Sequence, residues 1–118
     1  MTSHEKGIYA EQLAARFLTN VQNMTVLEHR YLTYSGEVDL IVIDSQKILI
    51  AVEIKQRKTI DEARNAITLY QQKRIVKAME IFLCRNPTID YDGMRFDAIL
   101  FNRDLSERLY MKNAWIPI

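Results

Sequence analysis

Cysteine is almost absent from this 118-residue chain, which carries only Cys84. One thiol excludes an intramolecular disulfide framework and a multi-cysteine zinc site, and it suits a reducing cytosol. Two histidines, His4 and His29, are too few for a multi-histidine metal centre, and both read as surface residues. With three glycines and two prolines there is no linker and no low-complexity tract, so residues 1–118 read as one domain. The longest apolar run, Ile48 to Val52, falls far short of the ~20 residues that a membrane-spanning helix needs. The opening Met1-Thr2-Ser3-His4-Glu5-Lys6 is polar and leads into a helical pattern, so the expectation is a cytoplasmic protein with no membrane partner. Charge of one sign is missing too, with 16 Lys+Arg against 15 Asp+Glu and a net charge of +1. That total lends nucleic-acid binding no support, and any basic surface has to come from where the charges sit.

An apolar content of 48% is that of a folded chain, and its periodicity marks the elements. Thr2-x-x-Glu5 forms a capping-box pattern ahead of Ala10, Leu13, Ala14, Phe17, Leu18 and Val21 at helical spacing. A strand over Val26 to Tyr34 closes at Ser35-Gly36. Strands over 37–43 and 48–55 are apolar on both faces, as in the middle of a covered sheet. A second helix is predicted from Thr59-x-x-Glu62, with a buried stripe of Ala63, Ala66, Ile67, Tyr70, Ile75, Ala78, Met79 and Phe82, stopped at Asn86-Pro87. Cys84, near its end, reads as a small buried apolar side chain. Strands over 95–101 and 108–112 follow the turn at Gly93 and the turn over 102–106. The order is αβββαββ, an α/β fold with one mixed sheet between helices.

Four charged residues interrupt the apolar strands: Glu37, Asp39, Glu53 and Lys55. Carboxylates in a sheet centre are costly unless paired, hydrogen-bonded or metal-bound. A three-residue connection between the two central strands sets Asp44 opposite Ile48 and Asp39 opposite Glu53, with Cβ atoms roughly 4.5–5.5 Å apart. A two-residue loop would put Asp39 and Glu53 on opposite faces, and the first register is the expectation. Two carboxylates and the backbone carbonyl of Ile54 then make an all-oxygen site suited to Mg²⁺ or Mn²⁺. Lys55 on the same side could orient water or offset charge on a phosphate, the division of labour of metal-assisted phosphodiester hydrolysis. In the plain alternative Asp39 pairs with Lys55 and Glu53 takes a hydrogen bond, and a lone Asp…Glu-x-Lys favours it.

Glu11 flanks the apolar stripe of the first helix, where Gly7 one turn earlier permits close backbone approach. Its alternative is a solvated flank. Gln71 falls on the buried stripe of the second helix, where it would face the carboxylates, unless the helix rotates and exposes it. Basic residues gather after the Glu-x-Lys strand as Arg57, Lys58, Arg64, Lys73, Arg74 and Lys77, a rim for phosphate contacts, with Arg16 and Arg30 able to extend it. Tyr31, Tyr34 and Tyr91 can stack on bases if exposed, or pack at the rim.

Gly7-x-x-x-Glu11, Gly36-Glu37-Val38-Asp39-Leu40-Ile41 and Val52-Glu53-Ile54-Lys55-x-Arg57, followed by Arg95-Phe96-Asp97 and Asn113-Ala114-Trp115, resemble the YraN-like family of small bacterial proteins. That family is regarded as predicted endonucleases distantly related to archaeal Holliday-junction resolvases. The resemblance implies the restriction-endonuclease-like fold with a PD-(D/E)xK signature. Carried over, Asp39 and Glu53 are metal ligands, Lys55 is the catalytic lysine, Glu11 is the helical carboxylate and Glu37 a supporting group. It further implies Mg²⁺ or Mn²⁺ as cofactor, structured DNA as substrate and a homodimer as the working form. Two departures stand out: no proline precedes Asp39, and Gln71 stands where many relatives carry a lysine. The rival expectation is a non-catalytic nucleic-acid-binding or assembly module on the same fold. Counting Glu11, Glu37, Asp39 and Glu53 as converging on one cation leaves a surface more basic than +1.

Overall fold

The computed structural model describes residues 1–117. Its first helix, α1 (Ser3–Asn20), starts in the expected capping box: Thr2 accepts the Glu5 amide and Glu5 reaches back to the Thr2 amide. Ala10, Ala14 and Leu18, four residues apart, form its buried line, and the two alanines let the helix lie close on the sheet. Five strands follow as β1 (Thr25–Leu32), β2 (Glu37–Ile43), β3 (Ile48–Gln56), β4 (Gly93–Phe101) and β5 (Arg108–Trp115). They form one sheet in the order β1-β2-β3-β4-β5. Only the β3–β4 pair is parallel, and the chain between those strands supplies the helical crossover that a parallel pair requires.

That crossover differs from the expected single helix. It divides into α2 (Ile60–Asn65) and α3 (Leu69–Arg85), so the order is αβββααββ. Thr59 caps α2 and Thr68 caps α3, each hydroxyl accepting the amide three residues on. Restarting at Thr68 rotates the apolar stripe. Ile75, Ala78, Met79 and Phe82 are buried as expected, while Tyr70 is 70% exposed. Cys84, expected in the interior, is also exposed, on the outer side of α3 two residues after Phe82.

The two faces of the sheet are covered separately. Leu40, Val42, Ile50, Val52, Ile99 and Phe101 pack under α1. Val38, Ile41, Leu49, Ala51 and Phe96 pack under α3, and Ala98 and Leu100 under α2. Covering both faces is why β2 and β3 are nearly continuous in apolar residues. β5 is pinned to β4 by the buried carboxylate of Asp97, which accepts from Arg95 Nε (3.0 Å), the Tyr110 hydroxyl (2.6 Å) and the Asn113 amide (3.0 Å). Asn113 takes a positive φ of 53° at that irregular stretch of the strand. A helix-flanked, five-stranded mixed sheet of this order is compatible with the restriction-endonuclease-like fold. Among the described residues no helix is long and apolar enough to cross a membrane.

Candidate functional site

The hairpin register is the expected one. The β2–β3 ladder runs from Ile43↔Leu49 to Leu40↔Val52, and its next step sets Asp39 across from Glu53. The connection that fixes it is held by Asp44, whose carboxylate accepts the Gln46 and Ile48 amides at 2.9 Å each, while Lys47 turns the chain with φ 64°. Beyond Leu40 the ladder yields to a side chain, as the Asp39 carboxylate accepts the Ile54 amide at 2.8 Å. Face alternation slips at the same place. Leu40 packs under α1 but Val38, two residues earlier, packs under α3. On β1, Arg30 lies opposite Asp39, between the pairs His29↔Leu40 and Tyr31↔Val38, with a positive φ of 48°. The slip leaves Asp39 between the two faces of the sheet, where its carboxylate is reachable from both.

Glu53 is 3% exposed and accepts from Gln71 Nε2 at 2.5 Å, with Lys55 Nζ 4.0 Å from the same oxygen. Burial, then the hydrogen bond and charge of Asp39, push its carboxyl up to about 10. Even with the Lys55 ammonium beside it, the pair therefore holds a proton at neutral pH. Gln71 faces the carboxylates, the first of the two orientations the sequence left open. Thr68 accepts the Gln71 amide at the helix start, leaving the Gln71 side chain free to reach Glu53.

The two other acidic residues flank this pair without bonding to it. Glu11 is taken by Arg30, whose Nε lies 2.8 Å from Glu11 Oε2, and that contact raises the Arg30 guanidinium. Glu37 is exposed, and its carboxyl is raised by partial burial, then by Asp39 and Glu11. The expected convergence of all four carboxylates on one point is thus corrected to a pair, Asp39 and Glu53, with Glu11 and Glu37 around it. Among the described residues no group of three or more His, Cys, Asp and Glu side chains is arranged to hold a metal ion. Gly7 admits no backbone neighbour either. Nothing lies within 4 Å of where its Cβ would stand, and its missing side chain opens a cleft.

Two clefts meet at Asp39, Ile54 and Lys55. The first, of about 540 Å³ on the α1 side, is lined by Glu11 and by Lys6, Arg57, Lys58 and Arg103. The second, of about 650 Å³ on the α3 side, is lined by Glu53, Glu37, Gln71, Tyr70 and Arg74. Of the expected basic rim, Arg57, Lys58 and Arg74 are therefore at the site. Arg64 is not, since it pairs with Asp61 at 3.0 Å one turn back on α2, and Lys73 lines a separate groove beside Trp115. Lys6, Arg103 and Tyr70 were not read as site residues. Lys6 had a local signal, lying one turn before Ala10 and beside Gly7, whereas Arg103 comes from the β4–β5 turn, which no short-range pattern ties to β3.

The model of the family described as "Uncharacterised protein family UPF0102" matches residues 10–101. The chain belongs to this family. A UPF0102 protein of Azorhizobium caulinodans is 39% identical over 102 residues, covering 86% of this chain and 76% of the relative. One from Rhodopseudomonas palustris is 39% identical over 102 residues, covering 86% and 77%. One from Nitrobacter winogradskyi is 37% identical over 94 residues, covering 80% and 78%. The UPF0102 match spans Glu11, Asp39, Glu53, Lys55 and Gln71, and stops at the end of β4.

Proposed function

We propose that this UPF0102 protein is a Mg²⁺- or Mn²⁺-dependent endonuclease that hydrolyses phosphodiester bonds in structured DNA. The observation that carries the reading is the pairing of Asp39 with buried Glu53 where two clefts meet, with Lys55 on the same strand face. The donor set fits the ion. It is all oxygen, and the pair retains a proton that a divalent cation would replace. In an extended strand the N–H and C=O of one residue point to the same side. The Ile54 amide is donated to Asp39, so its carbonyl, on the same side of β3, would be the third oxygen ligand. Bound there, the ion would supply Lewis-acid polarisation of a phosphate oxygen and a more acidic water.

The chain's own residues do the rest. Asp39 is held by the Ile54 amide, and Glu53 is held by Gln71. Lys55 brings an ammonium 4.0 Å from the Glu53 carboxyl, near enough to offset negative charge on a phosphate at the pair. Lys6, Arg57, Lys58 and Arg103 along the first cleft offer contacts to a DNA backbone. A second reading, a closed structural network on a non-catalytic nucleic-acid-binding module, draws on the 2.5 Å Gln71–Glu53 hydrogen bond.

Cleavage of branched, flapped, single-stranded and duplex DNA with Mg²⁺ or Mn²⁺ separates the two. Wild type should cut at least one of these, and Glu53→Ala and Lys55→Ala should each lose about 10²–10³-fold, the scale of removing one preorganised electrostatic group. Equal cutting by all three proteins, or none by wild type with either ion, would leave the binding-module reading.

A further inference from the structure

We propose that the second cleft receives unpaired nucleotides, whose bases stack on Tyr34 and Tyr70, so that the substrate is DNA with single-stranded character and not intact duplex. This rests on the nuclease reading above and adds its substrate class.

Large apolar side chains stand in solvent around this cleft. Tyr34 is 82%, Leu32 73%, Tyr70 70% and Leu69 60% exposed. Leu32, Thr33 and Gly36, from the turn that carries Tyr34, line the cleft on one side, and Tyr70 lines it on the other. One cation ties the two sides together. Arg74 donates from Nε to the Ser35 carbonyl at 2.5 Å, and its guanidinium carbon stands 5.6 Å from the centre of the Tyr70 ring. Gly36 makes this possible, since a Cβ there would stand 3.2 Å from Arg74 Cβ. The turn and the first turn of α3 thus form one frame, with Tyr70 on the cleft wall and the exposed Tyr34 on the turn beside it.

Exposed aromatic faces beside a cation, next to a basic cleft, are what an unpaired strand requires, because every base has a π-face to stack. An apolar protein partner would also cover Leu32 and Leu69. The joined clefts carry six cations, Lys6, Lys55, Arg57, Lys58, Arg74 and Arg103, against the four carboxylates of Glu11, Glu37, Asp39 and Glu53, an excess that favours a polyanion. Duplex DNA keeps its base faces inside the stack and can offer them only where it is open. Tyr31 and Tyr91 do not serve. Tyr31 packs edge-on against Phe82 at 5.2 Å, and Tyr91 lies in the connection between α3 and β4, which, unlike the turn of Tyr34, contributes no residue to either cleft.

The test is fluorescence anisotropy of the full chain in EDTA, where nothing is cut, with labelled oligothymidylate, a blunt duplex, and the same duplex carrying a single-stranded flap. Wild type should bind the flap and the oligothymidylate more tightly than the blunt duplex. Tyr34→Ala and Tyr70→Ala should each weaken those two about tenfold, equal to about 1.4 kcal/mol, and leave the duplex unchanged. Both positions are exposed, so thermal unfolding of the variants should match wild type. Tyr34→Phe and Tyr70→Phe keep the ring and should bind like wild type. Equal affinity for flap and blunt duplex, alanine variants that weaken both alike or neither, or phenylalanine variants as weak as alanine, would overturn the proposal. Ring-dependent flap binding without metal-dependent cutting would leave it standing and sink the nuclease reading. Cutting without flap preference would do the reverse.

Discussion

Glu53 is enclosed by Asp39, Lys55 and Gln71, and burial and Asp39 push its carboxyl up against the opposing Lys55 ammonium. The consequence for stability has a definite sign. In the unfolded chain the group titrates near 4.5, and in the folded chain well above that. Between those values the folded state binds more protons than the unfolded state, so stability falls as pH rises. The contribution is intact below about pH 4.5 and is lost as pH climbs through the folded-state value. Glu53→Gln cannot ionise, and in EDTA at pH 8–9 it should be more stable than wild type by about 1–3 kcal/mol and unfold at a correspondingly higher temperature, with little difference at pH 5. Thermal unfolding across that range checks this, and parallel curves for the two proteins would contradict it. The placement of Asp39 is a residue-scale matter as well. The φ of 48° at Arg30 and the slip between Val38 and Leu40 coincide there, so Asp39 belongs to neither face of the sheet.

At the scale of elements, the N-terminus of α3 supports the site. Thr68 accepts the Gln71 amide, and Gln71 in that first turn holds Glu53. Thr68→Ala should cost about 1 kcal/mol, the worth of an N-cap, measured by urea unfolding. It should also reduce cleavage without touching a ligand; unchanged activity would show that Gln71 is held by packing alone. The register of β2 and β3 was legible in the sequence, because only a three-residue connection sets Asp39 opposite Glu53, where the two can share a proton or a cation, and Asp44 and Lys47 supply its hydrogen bonds and backbone turn. The split crossover was not read, although Thr68-x-x-Gln71 repeats the capping pattern that marked α1 and α2. Apolar spacing passes through a short break without an evident phase change, and for that reason Tyr70 was placed in the core. Cys84 was misplaced by composition alone, since cysteine is buried on average but nothing in the sequence ties this one to the inner face.

For the whole molecule, the net charge of +1 understates the character of the site. Glu53 is buried with its carboxyl pushed up, Asp97 is buried among Arg95, Tyr110 and the Asn113 amide, and Glu11 is paired with Arg30. The α1-side cleft is left with Lys6, Lys55, Arg57, Lys58 and Arg103 around the carboxylate of Asp39. DNA binding in EDTA should therefore weaken with salt. The slope of log K against log salt should become shallower by about 0.7 for each of Arg57→Gln and Lys58→Gln with a single strand. An unchanged slope would mean that these cations do not meet phosphates. The central claim is that Asp39 and Glu53 form a cation site and not a closed structural pair. Its most direct test is titration calorimetry of Mn²⁺ at pH 7 in buffers of different ionisation enthalpy. The account predicts one ion per chain, bound with release of about one proton, and loss of both in Asp39→Ala. A folded wild-type protein that binds no Mn²⁺, or binding that survives Asp39→Ala unchanged, would contradict it.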